Sequence, residues 1–241
     1  MLMRLLAYRG ASVVLGATAL AGLVGCEGLE GARVRDNSSP AVAVRATFRP
    51  DALMRGDGAR GGIEVGYDRY RGKDTQTLSA GQNVDLNDLR LDGPDRLNNE
   101  VTVQLLHMAY THRARWGSNF EFEPMLGGGR QGLKFKIDPT NSALRPEISR
   151  YMPVFVYGLT PRWRFNDMLA LEGRVSGTVG GSNGNLVRTY SFDAGLLVSP
   201  APNVALRIGY SDRRLSAELS DSLSEIDVHV RGPAAALVFE F

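Results

Sequence analysis

The residues best suited to acid–base or nucleophilic chemistry are three histidines, His107, His112 and His229. A histidine beside a serine can activate the hydroxyl for acyl transfer. His107 lies mid-segment in a run of alternating apolar and polar residues, and His112 stands near that run's end. Only His229, in Asp227-Val-His-Val-Arg231, falls close to a long polar loop, and no serine stands two positions from it. Ser220 or Ser222 could complete a triad with it across strands. Exposed or interior-lining roles are the expectation for the histidines, so no catalytic residue is assigned and no enzyme is expected.

A second set has charge and a shared parity. Glu64, Asp68, Glu121, Glu123, Glu172, Arg174, Asp193 and Arg207 all fall on the face opposite the apolar residues of their segments. In a closed sheet they would point into a narrow interior. There they either neutralise one another, because unpaired buried charges are expensive, or line an ion path. The spacing predicts pairing, with Asp193 between Arg174 and Arg207 and with Glu172 competing for Arg174. Gly127-Gly-Gly129 and Gly180-Gly-Ser-Asn-Gly184 lack the strand-to-helix context and the Lys-Ser/Thr pair of a phosphate loop. They read as a strand bend and a hairpin loop. Asp85, Asp88, Asp92 and Asp95 lack the fixed ligand spacing of a calcium loop. No metal and no cofactor is expected.

Eight alternating segments after Gly62 must position these groups. They run over 63–70, 100–113, 119–130, 151–163, 169–179, 189–196, 204–211 and 226–241, with Gly232-Pro233 read as a bulge in the last. Ile63, Val65 and Tyr67 oppose Glu64, Gly66 and Asp68. Tyr190, Phe192 and Leu196 oppose Thr189, Ser191 and Asp193. Short connections at 115–118, 165–167 and 199–203 alternate with longer ones at 72–98, 131–148, 180–185 and 212–225. Threading the segments up and down gathers Tyr67, Tyr151, Tyr190 and Tyr210 near the long-loop end. It gathers Trp116, Phe120, Trp163, Phe165, Phe239 and Phe241 near the short-turn end. Two aromatic girdles, an apolar outer face and this loop asymmetry suit a barrel in lipid.

Composition sets the frame. The chain has 241 residues with 28 Lys+Arg against 26 Asp+Glu. Arg4 and Arg9 lie in the first 25 residues, leaving 26 against 26, which gives no argument for nucleic acid. A single cysteine, Cys26, excludes an intrachain disulfide. Residues 1–25 read as an export signal with an apolar stretch from Ala11 to Val24. Leu23-Val-Gly-Cys26 resembles a bacterial lipobox, which implies an acylated Cys26. Cleavage after Ala19-Leu-Ala21 is the alternative. Residues 26–61 read as a flexible periplasmic tether. Inside it, residues 41–48 alternate like a strand but are left out because they would make the count odd.

Gly62-Ile-Glu-Val-Gly-Tyr67, Met125-Leu-Gly-Gly-Gly129, Pro153-Val-Phe-Val-Tyr-Gly158 and the terminal Val238-Phe-Glu-Phe241 resemble the OmpA-like family of small outer-membrane barrels. The likeness covers roughly residues 62–241. It implies an all-β, eight-stranded antiparallel up-and-down transmembrane barrel over 62–241, with both barrel termini in the periplasm. It also implies outer-membrane lipid as surroundings and the barrel-assembly machinery as a partner for the strand ending at Phe241. The chain departs from the family in its lipobox, its long tether and its lack of a following peptidoglycan-binding domain. The expected role is a non-enzymatic, monomeric outer-membrane lipoprotein that supports the envelope or presents loops to a surface ligand. The alternatives are a lipid A acyltransferase- or deacylase-like enzyme using His229, and a lipid-anchored lipocalin-like carrier. A carrier would need an apolar interior, the reverse of this pattern.

Overall fold

The computed structural model describes residues 32–50, 60–86, 89–220 and 225–241, side chains of 85–89 excepted. Period-two alternation predicts strands, and the described residues form twelve strands and no helix. β1 (Ala32–Asp36) and β2 (Ala41–Phe48) precede β3 (Arg60–Leu78) and a small hairpin, β4 (Asn83–Leu86) with β5 (Leu89–Asp92). Then come β6 (Asp95–Trp116), β7 (Phe120–Pro139), β8 (Glu147–Arg164) and β9 (Leu169–Ser182). β10 (Asn185–Ala201), β11 (Val204–Glu218) and β12 (Glu225–Glu240) complete the chain.

Ten strands form one mostly antiparallel sheet in the order β1-β12-β11-β10-β9-β8-β7-β6-β3-β2. β12 pairs with β2 as well, so the order closes on itself. The closing pair is parallel, from Ala234 opposite Ala41 to Glu240 opposite Thr47. β1 continues that row higher up, from Ala32 opposite Ile226 to Asp36 opposite Val230.

This corrects the eight-strand expectation. Residues 32–36 and 41–48, assigned to a tether, are strands of the sheet, and β2 has the same sidedness as its neighbours. Ala41, Ala43, Arg45 and Thr47 are buried, while Val42, Val44 and Phe48 are exposed. An odd count was the reason for leaving them out. One parallel pair accommodates it, because parallel ladders bond with even, slanted spacing.

Gly232-Pro233 is not a bulge either. The β11–β12 register is continuous from Val204 opposite Phe239 to Glu218 opposite Glu225. Gly232 lies where the link between β1 and β2 crosses, and a Cβ there would stand 2.3 Å from the Ser39 carbonyl oxygen. Pro233 sits opposite the same break, where a residue without an N–H is tolerated. Between β10 and β11 the register does shift, but at the short-turn end, between Val198 and Ala201.

The strands are longer than the sequence suggested because their sidedness inverts part-way along. On β3, outward Ile63, Val65 and Tyr67 give way to Arg69, Arg71 and Lys73, while inward Glu64 and Asp68 give way to Tyr70 and Leu78. On β11, outward Leu206, Ile208 and Tyr210 give way to Asp212, Arg214 and Glu218, while inward Arg207 and Arg213 give way to Leu215 and Ala217. The short-turn half is therefore apolar outside and charged inside, and the long-loop half is the opposite. Leu97, Val101, Phe135, Ile137, Ile226 and Val228 fill the interior of the long-loop half. Val34 of β1 joins that cluster, as do Val84 and Leu91 of the β4–β5 hairpin.

All four expected long loops shrink accordingly, with residues 72–78 in β3, 95–98 in β6 and 212–218 in β11. Residues 131–139 belong to β7, leaving 140–146 as the connection. The 180–185 loop is a two-residue turn, with Asn183 at φ 54° and Gly184 at φ 81°. Positive φ at both central positions gives a twist that matches the flanking strands. β2 ends beside Phe241, whose N–H donates to the Thr47 carbonyl at 2.9 Å. β1 lies at the opposite, long-loop end.

Candidate functional site

All eight predicted interior charges are buried. Some of their partners come from neighbouring strands and others from across the interior. Glu64 Oε1 lies 2.7 Å from Arg174 Nη2 and 3.0 Å from His107 Nε2. Asp68 Oδ1 accepts from Arg45 at 3.0 Å and from Arg213 at 3.4 Å. Asp193 faces Arg213 at 3.4 Å and Arg207 at 3.7 Å. Glu172 accepts from Arg162 at 2.7 Å, with Arg207 3.7 Å away. The expected Asp193–Arg174 and Glu172–Arg174 pairs do not form, since Arg174 is committed to Glu64.

Nearer the short turns a second tier repeats the pattern. Glu123 lies 2.6 Å from Arg49 and 3.0 Å from Arg113. Glu121 lies 2.8 Å from Arg115 and 3.1 Å from Arg164. Glu240 accepts from Arg113 at 2.8 Å, with Arg162 3.4 Å away. Sequence reasoning missed Arg45, Arg113, Arg162 and Arg213 in this network. Strand parity would have found the last three. Arg45 was lost with β2.

Gly66 is required by the first tier. A Cβ there would lie 2.3 Å from His107 Cε1, so its absence makes room for the imidazole beside Glu64. Above the charges, Gln131 donates to Thr189 Oγ1 at 2.8 Å and accepts from Thr178 at 2.7 Å. Tyr70 forms the seam to the apolar cluster, with the Arg213 guanidinium 5.1 Å from its ring centre. From short turns to long loops, the interior therefore passes from ion pairs through neutral hydrogen bonds to packed hydrocarbon.

The aromatics expected in the two girdles lie on the outer face. Tyr67, Tyr151, Tyr190, Tyr210, Trp116, Trp163, Phe165 and Phe241 are exposed, while Phe120 and Phe239 are half-buried. Phe120 pairs with Trp163 at 6.4 Å between ring centres, and Phe239 with Phe241 at 6.4 Å.

His229 also faces outward. Its Nε2 accepts from Arg231 at 2.9 Å, and Asp212 approaches both, 3.0 Å from the imidazole and 2.8 Å from the guanidinium. Ser220, one of the two triad serines, donates to the Asn183 carbonyl at 2.9 Å. The other, Ser222, lies outside the described residues, as do residues 1–25, where an export signal is expected, Cys26 and Asp88. Asp92 accepts from Arg90 at 2.8 Å, and Asp95 from the Asn141 N–H at 3.0 Å. Among the described residues no cluster of His, Cys, Asp and Glu could hold a metal ion.

Comparison with protein-family models, with curated proteins and with solved structures gives no match.

Proposed function

We propose that this chain is a non-enzymatic, monomeric outer-membrane β-barrel protein, OmpA-like in architecture, that presents its long-loop half as an interaction surface. The inversion of sidedness along single strands carries this reading. A surface that is apolar outside over one half and polar over the other suits a wall that leaves lipid and enters water. On β8 the outward run from Tyr151 to Trp163 covers about 40 Å of strand, or about 30 Å at a tilt of about 40°. That is close to the ~25 Å apolar band of such barrels.

Paired charges below and packed hydrocarbon above support a closed interior rather than an ion path. A charged interior also argues against a lipocalin-like carrier, which would hold its cargo in an apolar one. Phe241, held against β2, is the strand end that the barrel-assembly machinery would meet. A lipid on Cys26, six residues before Ala32, would lie at the long-loop end, because six residues span at most about 20 Å. This differs from the periplasmic anchor that the tether reading implied.

The test is reconstitution. Full-chain protein refolded into lipid vesicles should show heat-modifiable gel mobility, protease protection of the short-turn half and no single-channel conductance. Lipid A from cells with and without the protein should have the same mass spectrum. Failure to insert would overturn the membrane reading, a steady conductance the closed interior, and altered lipid A the non-enzymatic role.

A further inference from the structure

The outward face of β3, β6, β7 and β8, just beyond Tyr67 and Tyr151, carries more cation than anion. Cross-strand pairing lays out three rows there. The first holds Arg69, Gln104, Gly132 and Tyr151; the second Arg71, Thr102, Lys134 and Ser149; the third Lys73, Glu100, Lys136 and Glu147. The lysines are largely answered within this face. Glu147 lies 2.7 Å from Lys134 and 3.1 Å from Lys136, and Glu100 lies 3.8 Å from Lys73.

Arg69 and Arg71 have no such answer. Neither has a carboxylate within ion-pair distance among the described residues, and the buried Arg69 Nε makes no hydrogen bond. Both border a concavity of about 300 Å³, together with Thr102, Gln104, Lys134 and Tyr151. Gly132 lets the Tyr151 ring lie across the strand, since a Cβ there would be 2.7 Å from Tyr151 Cε1. The Arg130 guanidinium holds that ring from 4.7 Å. Directly below, Tyr67, Leu106, Leu126 and Phe155 form the exposed apolar wall.

Two free guanidinium forks match phosphate oxygens, which they bind bidentately. The Thr102 hydroxyl and the Gln104 amide add neutral donors. Hydrocarbon immediately beneath means that a ligand here has a phosphate above and acyl chains below. We infer that this concavity binds the phosphorylated headgroup of a membrane lipid in the leaflet at the long-loop end. The inference rests on the membrane-barrel reading and adds a specific lipid contact to it.

Full-chain protein in neutral detergent, titrated with an acylated diphosphoryl glucosamine disaccharide and watched by native mass spectrometry, tests it. Arg69→Ala with Arg71→Ala should weaken binding by ~10-fold or more, as loss of charge-assisted hydrogen bonds requires. Arg214→Ala, beside Asp212 at 3.9 Å on another strand, should leave binding unchanged. Phosphatidylglycerol and inorganic phosphate separate the sources. Preference for either lipid supports the site and says which headgroup it takes, whereas equal occupancy by inorganic phosphate overturns a lipid site. If the double variant keeps its heat-modifiable mobility and still binds as tightly, the lipid site falls while the barrel stands. If the unaltered chain shows no such mobility, both fall together.

Discussion

Arg174 and Asp193 are Cα partners on β9 and β10, yet the Arg174 guanidinium turns from Asp193 and crosses the interior to Glu64 on β3. Glu64 thereby ties two distant strands together and holds His107 from the next strand. Removing it leaves a buried guanidinium without its carboxylate. Glu64→Ala should therefore lower stability by about 3 kcal/mol, read as the urea midpoint in vesicles. Glu64→Ala with Arg174→Ala should recover part of the loss. No recovery would mean that the interior is wet.

Asp193 provides a second cycle with a different partner. Arg213 is nearer to it than Arg207, at 3.4 Å against 3.7 Å. Asp193→Ala should destabilise by an amount on the order of 3 kcal/mol. Arg213→Ala should compensate more than Arg207→Ala does. The reverse order would show that the two arginines exchange roles in solution.

The closure of the sheet by β2 on β12 is directly testable. Val42 on β2 and Ala235 on β12 are Cα partners and both face outward. Neighbouring strands stand about 4.8 Å apart, within disulfide range. In a Cys26→Ser background, Val42→Cys with Ala235→Cys should form an intramolecular disulfide that shifts unreduced gel mobility. A ring closed by β3 on β12 instead would leave both thiols free to alkylate.

Asp36 governs the link from β1 to β2. It accepts from the N–H groups of Ser38 at 2.9 Å and Lys73 at 3.0 Å, and from Ser39 Oγ at 2.5 Å. Burial works to raise its pKa, but these bonds outweigh it and hold the carboxyl below its ordinary range. Its contribution is therefore present above about pH 4 and lost as pH falls through the lowered folded value. Asp36→Ala should speed amide exchange over residues 32–40 at pH 7 by about tenfold, equivalent to ~1.4 kcal/mol. Acidification should then have little further effect on the variant. Equal exchange in both proteins at pH 7 would sink this role for Asp36.

Gly66 lies directly against the His107 ring in the interior. Gly66→Ala would drive a methyl into the His107 ring and should cost about 1–3 kcal/mol by overpacking. Gly66→Ala with His107→Ala should relieve most of it. The measurement is again the unfolding midpoint, and an unrelieved double variant would point to backbone strain instead.

Alternation alone determined that this chain is all-β. It also determined that Glu64, Glu172, Asp193 and Arg207 lie on one face and Ile63, Leu171, Phe192 and Leu206 on the other. The reason is local: a strand's side chains alternate whatever it pairs with. What those charges bond to was legible only in part: Asp193 and Arg207, on neighbouring strands, do meet at 3.7 Å, but Arg174 and Glu64 are 110 residues apart and meet only once the sheet closes. Closure itself was hidden, since β2 pairs in parallel with the far end of the chain and no local signal marks that choice. The long-loop half escaped for a different reason. Past Tyr67 the alternation continues with its sign reversed, so segments such as residues 72–78 read as polar loop when only an outward apolar face was sought. Whether the apolar or the polar side of a strand turns inward depends on its surroundings, and the assembled sheet is what supplies them.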